Sequence, residues 1–113
     1  MKLITAIIQI DKLDEVRQAL SAIQTIRMTV SRAAGRGRHP DEELHRGQVV
    51  IPDLIPKMRI DIACNDQDVK KICDAIINAA RHGQGKIGDG KIFITELLDC
   101  IRIRTNERGA AAI

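Results

Sequence analysis

The sequence predicts an α+β domain of the ferredoxin-like βαββαβ class, and three observations carry this prediction. Apolar residues alternate, or run together with β-branched types, along four short segments, and they recur at helical spacing along two others. The six segments follow the order strand, helix, strand, strand, helix, strand, which is the order of the split βαβ arrangement. The chain of 113 residues has the length of one domain, which we expect to span 1–113.

The first half of the chain supplies a strand, a helix and a second strand. Residues 2–10 form a run rich in isoleucine that is typical of a central strand. The following helix presents one apolar stripe at spacings of three and four residues, made of Leu13, Val16, Leu20 and Ile23. Met28 and Val30 then alternate with polar neighbours and predict the second strand.

The second half repeats the pattern after a long interruption. Met58, Ile60 and Ile62 alternate with their neighbours as a third strand. Asp66 is a candidate N-terminal cap for a second helix, whose apolar residues are Val69, Ile72, Cys73, Ile76 and Ala80. Residues 91–96 predict a fourth strand and residues 101–104 a short fifth, within a C-terminal strand and tail at 99–113.

Composition excludes several classes of protein. The net charge of +3 is modest and Phe93 is the only aromatic residue, so nucleic acid is not expected as a partner. The apolar runs are shorter than the roughly 20 residues of a membrane span and no signal-peptide pattern begins the chain, so we expect a cytoplasmic protein without membrane insertion. Cys64, Cys73 and Cys100 lack metal-site spacing and predict reduced thiols.

A glycine-rich turn and nearby basic residues predict a polyphosphate site. Gly85, Gly88 and Gly90 allow the backbone to approach an anion closely, and Lys91 adds a positive charge. The alternation from Ile101 to Arg104 predicts two guanidinium groups on one face of a strand. These features favour phosphate binding over a set of unrelated surface charges.

Residues 35–56 fit no helix or strand pattern, and a loop of this length in a small domain is usually functional. His39 and His45 flank the acidic residues Asp41, Glu42 and Glu43. Their spacing matches no established set of metal ligands, so we predict no metal site and interpret the stretch as solvated. The role of this cluster stays open.

The chain resembles the PII nitrogen-regulatory signal transduction proteins along its whole length. The segments that carry the resemblance are MKLITAIIQ, DKLDEVRQALSAI, GRGR, LHRG, IPKMRIDI, GKIGDGKIF and IRIRT, in this order. The resemblance implies a homotrimer with sheets turned inward, which agrees with two helices covering only one sheet face. It also implies ATP or ADP in clefts between subunits, Mg²⁺ as a companion ion, and a T-loop at 36–55 that contacts a target transporter, enzyme or regulator.

The resemblance also assigns site residues. Gly88, Asp89, Gly90 and Lys91 would hold the phosphates with Arg102 and Arg104, and Gly35, Gly37 and Arg38 would close over them. One or both arginines would reach in from a neighbouring subunit, and which subunit contributes each is left open. Thr29 and Asp61 would lie near the adenine. The full expected nucleotide set is Ile7, Thr29, Gly35, Gly37, Arg38, Asp61, Ile87, Gly88, Asp89, Gly90, Lys91, Arg102 and Arg104.

Departures from the family pattern concentrate in the loop. His39 stands where the family has a glutamine that helps to bind Mg²⁺, which prefers oxygen ligands. We therefore expect weak 2-oxoglutarate binding, although Lys57 matches a lysine that contacts this effector. The chain has no tyrosine, and 35–56 contains no serine or threonine. Uridylylation or phosphorylation of the loop is therefore excluded, and we expect a divergent member of the family.

Two alternatives remain at the level of sequence. A PII paralogue could sense another effector, such as bicarbonate or AMP, because the loop differs while the glycine-rich turn does not. A trimeric metal-tolerance protein of the CutA type would share the fold, but it would not need GDGK and IRIR. No Ser-His-Asp or Cys-His arrangement supports catalysis, so we do not expect an enzyme. The target protein, the effector and the ATP or ADP preference are left open.

Overall fold

The computed structural model describes residues 1–37, 43–45, 48–50 and 54–113, with the backbone alone at 43–45 and 48–50. Within these ranges the strands are β1 (Lys2–Ile8), β2 (Thr29–Gly35), β3 (Glu43–His45), β4 (Gln48–Val50), β5 (Ile55–Cys64) and β6 (Gly90–Glu96). The helices are α1 (Leu13–Ala22) and α2 (Val69–Ala80). The predicted ferredoxin-like fold is confirmed.

The main sheet has the order β2-β5-β1-β6, and each neighbouring pair is antiparallel. β1 therefore lies between β5 and β6, as the isoleucine-rich run at its centre predicted. Ile4 faces Ile62 on one side and Ile94 on the other, which places these side chains on the same face of the sheet. Central position and pairing on both edges make β1 the strand against which the site is built.

The core lies between this face and the two helices. α1 contributes Val16 and Leu20, and α2 contributes Ile72, Ile76 and Ala80. The sheet contributes the alternate residues Ile4, Ala6, Ile8, Met58, Ile60, Ile62 and Cys64. These residues are at most 9% exposed, so the helical and strand periodicities in the sequence correctly identified the core.

The opposite face of the sheet carries no helix in the described part of the chain. Ile7 on β1 pairs with Lys91 on β6 and with Arg59 on β5, and all three lie on this face. Phe93, also on this face, is 50% exposed. The uncovered face is thus mixed in character, with aliphatic and aromatic groups among polar ones.

All three cysteines are free, as predicted. Burial raises the pKa of both Cys64 and Cys73, and the nearby carboxylates of Asp68 and Asp74, respectively, act in the same direction. Thiols in such surroundings resist ionisation and are chemically quiet.

The loop prediction needs one correction. The predicted featureless segment at 35–56 contains a short antiparallel hairpin, in which Leu44 of β3 pairs with Val49 of β4. β-branched Val49 and Val50 favour an extended backbone, which propensity alone could have indicated. The remaining residues of this segment, which include Arg38 and His39, lie outside the described ranges.

The predicted fifth strand at 101–104 is also wrong. Ile101 makes a single bridge to Arg108, and the chain between them forms a turn. The turn is closed by hydrogen bonds from the Asn106 N–H to the Arg102 carbonyl and from the Arg102 N–H to the Glu107 carbonyl. Asn106 adopts a φ of 65°, a left-handed conformation that asparagine tolerates. Within the described ranges, the alternation from Ile101 to Arg104 therefore lacks a sheet partner that would make it a strand.

Asp66 does not cap α2 with its side chain. It begins a short 3-10 turn, and α2 starts at Val69. Its carboxylate instead lies 3.0 Å from the N-terminal ammonium group and 3.2 Å from the Lys2 ammonium. The ammonium groups of Met1 and Lys2 therefore bind the Asp66 carboxylate in place of the helix N-terminus. This contact joins residues far apart in the sequence, so local spacing does not reveal it.

In the part of the chain that the structure describes, neither helix combines the length and apolarity that crossing a bilayer requires.

Two adjacent isoleucines of α2 test the placement of the core. Ile76 is 1% exposed and Ile77 is 39% exposed, so the same substitution should have different costs. We expect Ile76→Ala to lower the free energy of unfolding by about 2 to 5 kcal/mol. Ile77→Ala should lower it by less than about 1 kcal/mol. Urea denaturation of the two variants makes the comparison, and equal losses would contradict the assigned helix face.

Candidate functional site

A cleft of about 570 Å³ opens on the uncovered side of the sheet, where β2 ends and β5 begins. This volume is within the usual range for small-molecule sites. The cleft brings together many of the residues predicted from the sequence, namely Ile7, Gly35, Gly37, Lys57, Ile87, Gly88, Gly90 and Lys91. Arg36, Ile55 and Phe93 complete its lining.

The turn that precedes β6 forms one wall of the cleft because its glycines adopt conformations that other residues rarely reach. Gly88 has a φ of 99° and Gly90 a φ of 120°. A Cβ atom on Gly90 would lie 1.9 Å from the Ile7 carbonyl oxygen, a distance that no packing adjustment permits. Gly90 therefore lets the turn lie directly against β1.

Two side chains, one just after β1 and one on β5, donate hydrogen bonds to the same backbone carbonyl of this turn. The Gly88 carbonyl accepts a hydrogen bond of 2.7 Å from the Gln9 side-chain amide and a longer one of 3.4 Å from the Lys57 ammonium. Gln9 follows β1 directly and Lys57 lies near the start of β5. Gln9 was not among the predicted site residues, although an amide that follows an isoleucine run is a detectable signal.

Asp89 organises the same turn from within. Its carboxylate accepts the backbone N–H groups of Lys86, at 2.7 Å, and His82, at 3.2 Å. It also lies 2.6 Å from Nδ1 of the His82 ring. Partial burial opposes its ionisation, but these donors more than offset burial, so the pKa of Asp89 lies below its usual value. Asp89 is absent from the cleft lining and stabilises the turn behind it.

Lys91 supplies one of the positive charges at the cleft. It is exposed on β6, opposite Ile7 on β1, and within the described residues it makes no ion pair. Phe93 lies two residues further on the same face of β6, so the period of two could have identified it as a lining residue.

The two predicted arginines do not line this cleft. The Arg102 guanidinium lies 3.0 Å from the Glu107 carboxylate and donates a hydrogen bond of 3.2 Å to the Ala111 carbonyl. Arg104 is exposed in the turn at 103–105. Both therefore belong to the C-terminal hairpin, which is the turn at 101–108 closed by the bridge between Ile101 and Arg108, apart from the glycine-rich turn of the same chain. Their expected contact with phosphates through a neighbouring subunit stays a prediction.

Thr29 and Asp61 lie opposite each other on β2 and β5, but neither lines the cleft. Asp61 accepts a hydrogen bond of 2.6 Å from the Thr5 hydroxyl and one of 2.9 Å from the Arg59 guanidinium. Partial burial opposes its ionisation, yet these two donors outweigh burial, so the pKa of Asp61 is lowered. The predicted adenine contacts of Thr29 and Asp61 stay predictions.

The chemistry of the cleft favours an anion with an apolar part. Its described lining contains the cationic residues Arg36, Lys57 and Lys91 and no carboxylate. Ile7, Ile55, Ile87 and Phe93 supply an apolar surface beside them. No group of three or more candidate metal ligands occurs among the described residues.

Comparison with known proteins gives a consistent result over the full chain. The model of the family described as Nitrogen regulatory protein P-II matches residues 1–107. The chain is 46% identical to the Nitrogen regulatory protein P-II of Bradyrhizobium diazoefficiens over 114 aligned positions, covering 100% of both chains. It is 45% identical to the Nitrogen regulatory protein GlnK of Escherichia coli, again over 100% of both, and 45% identical to a P-II protein of Methanothermobacter thermautotrophicus, covering 97% of that relative.

Gly90 can be tested against a second glycine of the same turn. Gly83 also has a positive φ, 58°, but nothing lies within 4 Å of the position a Cβ would take. Gly83→Ala should therefore cost only the left-handed backbone strain of about 1 to 2 kcal/mol. Gly90→Ala should cost more than about 3 kcal/mol in the free energy of unfolding, because strain and the clash with Ile7 add. Urea denaturation checks both, and similar costs would contradict the contact with β1.

Proposed function

Since this chain belongs to the nitrogen regulatory protein P-II family, we propose that it is a signalling protein that binds ATP or ADP in the cleft and regulates a target protein through the segment at 36–55. The family expected from the sequence is thereby confirmed, and a metal-tolerance protein of the CutA type loses its support. The relatives are named as regulatory proteins, which agrees with a role other than catalysis.

The observation that carries the proposal is the glycine-rich turn beside Lys91. Phosphate groups need close backbone approach and positive charge, and the cleft combines Gly88, Gly90 and Lys91. Charge-assisted hydrogen bonds to phosphate are roughly twice as strong as neutral ones. The apolar lining formed by Ile7, Ile87 and Phe93 offers a surface for a nucleoside.

The arginines fit the proposal only through a second copy of the chain. Arg102 and Arg104 stand in the C-terminal hairpin, outside the cleft of their own chain. The hairpin also exposes Ile103 completely, and Leu98 before it is 97% exposed. In the proposed homotrimer the exposed Ile103 of this hairpin packs against a neighbouring subunit, and the hairpin brings its arginines toward the neighbour's cleft, as the family resemblance implied.

The position of the cleft explains how a nucleotide would influence the loop. Gly35 and Gly37 line it where β2 ends, and Ile55 and Lys57 line it where β5 begins. A ligand in the cleft therefore touches both ends of the intervening segment. It shifts the population of loop conformations by the difference in its affinity for them, and a target that prefers one conformation responds.

Lys91 provides the direct test of nucleotide binding. Lys91→Ala should weaken ATP binding about tenfold to a hundredfold, because one charge-assisted contact to phosphate is lost. Lys70→Ala is a matched control, since Lys70 is 89% exposed on α2 and, among the residues that the structure describes, pairs only with Asp74. Isothermal titration calorimetry of both variants measures the difference, and equal affinities would place the phosphates elsewhere.

The molar mass of the protein in solution tests the proposed homotrimer. Sedimentation equilibrium at micromolar concentration should give three times the chain mass of 12.5 kDa. Replacing Ile103 with Asp should lower the association, because it puts a charge into an apolar contact. A wild-type protein that sediments as a monomer would remove the shared cleft from the proposal.

A further inference from the structure

His82 lies between two carboxylates that belong to different elements. Its Nδ1 atom is 2.6 Å from Asp89 in the glycine-rich turn, and its Nε2 atom is 3.0 Å from Asp11. Asp11 lies in the 3-10 turn Ile10–Lys12, directly before α1. The imidazole ring thus connects the start of α1 to the turn that lines the cleft.

Both contacts require a proton on the ring nitrogen that makes them. A carboxylate only accepts hydrogen bonds, and neutral imidazole has one N–H group. With both acids ionised, only the imidazolium ion can donate a hydrogen bond to each of them at once. Loss of one proton would leave a nitrogen lone pair facing a carboxylate, and one of the two contacts must then break.

The contact with Asp11 is the one that breaks. Asp89 also accepts two backbone N–H groups, from His82 and Lys86, which hold it in place whatever the ring does. The Asp11 side chain is 67% exposed, and its only side-chain hydrogen bond among the described residues is to His82. Neutral His82 would keep Nδ1–H on Asp89 and release Asp11 to water.

We propose that His82 is a proton-controlled clamp that fastens the glycine-rich turn to the start of α1, and that its deprotonation loosens this turn and weakens binding in the cleft. The second half of the proposal rests on the function proposed above. Even with the clamp open, Gln9 still holds the Gly88 carbonyl, so the turn loosens without unfolding.

The groups around the ring favour its protonated form. The two groups in direct contact with it are the carboxylates of Asp11 and Asp89, while two of the nearby cations make contacts elsewhere. The charged residues in this region are Asp11 and Lys12 before α1, Arg81 at the end of α2, Lys86 and Asp89 in the turn, and Lys57 on β5. Lys12 pairs with Glu15, and the Lys57 ammonium contacts the Gly88 carbonyl.

The direction of the pH dependence follows from these contacts. The hydrogen bond to Asp11, followed by the one to Asp89, raises the pKa of His82 above 6.5. A raised pKa in the folded state means that the stabilisation is fully present below about pH 6.5, the pKa of the unfolded chain. It is lost as the pH rises through the higher pKa of the folded protein.

The test compares Asp11→Asn with Asp14→Asn in the full-length protein. Asp14 is exposed on the first turn of α1 and pairs weakly with Arg17 at 3.7 Å, so it controls for loss of one negative charge nearby. NMR titration of the ring protons should give a His82 pKa above about 6.5 in the wild type and in Asp14→Asn. Asp11→Asn should lower it. An ordinary pKa in the wild type, or equal values in both variants, would overturn the clamp.

Nucleotide affinity provides the second readout. Because phosphates of the ligand also ionise in this range, the quantity measured is the ratio of ADP affinities of the two variants at each pH. Asp14→Asn should bind about two- to tenfold more tightly than Asp11→Asn at low pH, and the two should converge above the pKa of His82. A ratio independent of pH would overturn the coupling. If the His82 pKa values are as expected but ADP does not bind at any pH, the proposed function is refuted. The contact of His82 with Asp11 and Asp89 would still be supported.

Discussion

The approach of the glycine-rich turn to β1 is the constraint on which the site depends. The Ile7 carbonyl leaves no room for a side chain at Gly90, and β1 itself is fixed by β5 on one side and β6 on the other. Gly90 begins β6, so the same residue ends the turn and starts a strand of the sheet. The sheet therefore fixes the position of the turn backbone that the proposed phosphates would contact.

The division of the basic residues is the second organising feature. Lys57 and Lys91 reach the cleft from strands of their own chain, whereas Arg102 and Arg104 are carried by the C-terminal hairpin. The cleft of a single chain therefore contains only some of the basic residues that were expected at the site. If the hairpin of a neighbour completes it, as proposed, ligand binding and assembly are linked and each strengthens the other.

The sequence predicted the elements whose periodicity is set by one buried face. Alternation in β5 and the stripe on α2 identified Ile60, Ile62, Ile72 and Ile76 as core residues because burial acts on every second strand residue or every third and fourth helical residue. The glycine-rich turn was found because its backbone needs glycine. Such local requirements leave a direct trace in the sequence.

Contacts between distant segments left no such trace. Asp66 had the spacing of a helix cap but pairs with the N-terminal ammonium group. Residues 101–104 had the alternation of a strand but find no partner strand in the part of the chain that the structure describes. Gln9 was not predicted to stabilise the turn, and Asp89 was assigned to the ligand instead. The hydrogen-bond partners of both side chains depend on how the turn folds, which the sequence pattern does not show. The site was thus predictable as a set of residues, but not as a division between those that line it and those that support it.

The cluster formed by Thr5, Arg59 and Asp61 has a consequence for the uncovered sheet face. Removing a charged group from water is costly unless a partner replaces the lost hydration, and here each polar side chain already finds its partner within one chain. Water can therefore leave this cluster without stranding the Asp61 carboxylate, whereas Lys91 on the same face makes no ion pair within the described residues. In the trimer proposed above, this cluster would meet a neighbouring subunit with the Asp61 carboxylate already paired inside its own chain.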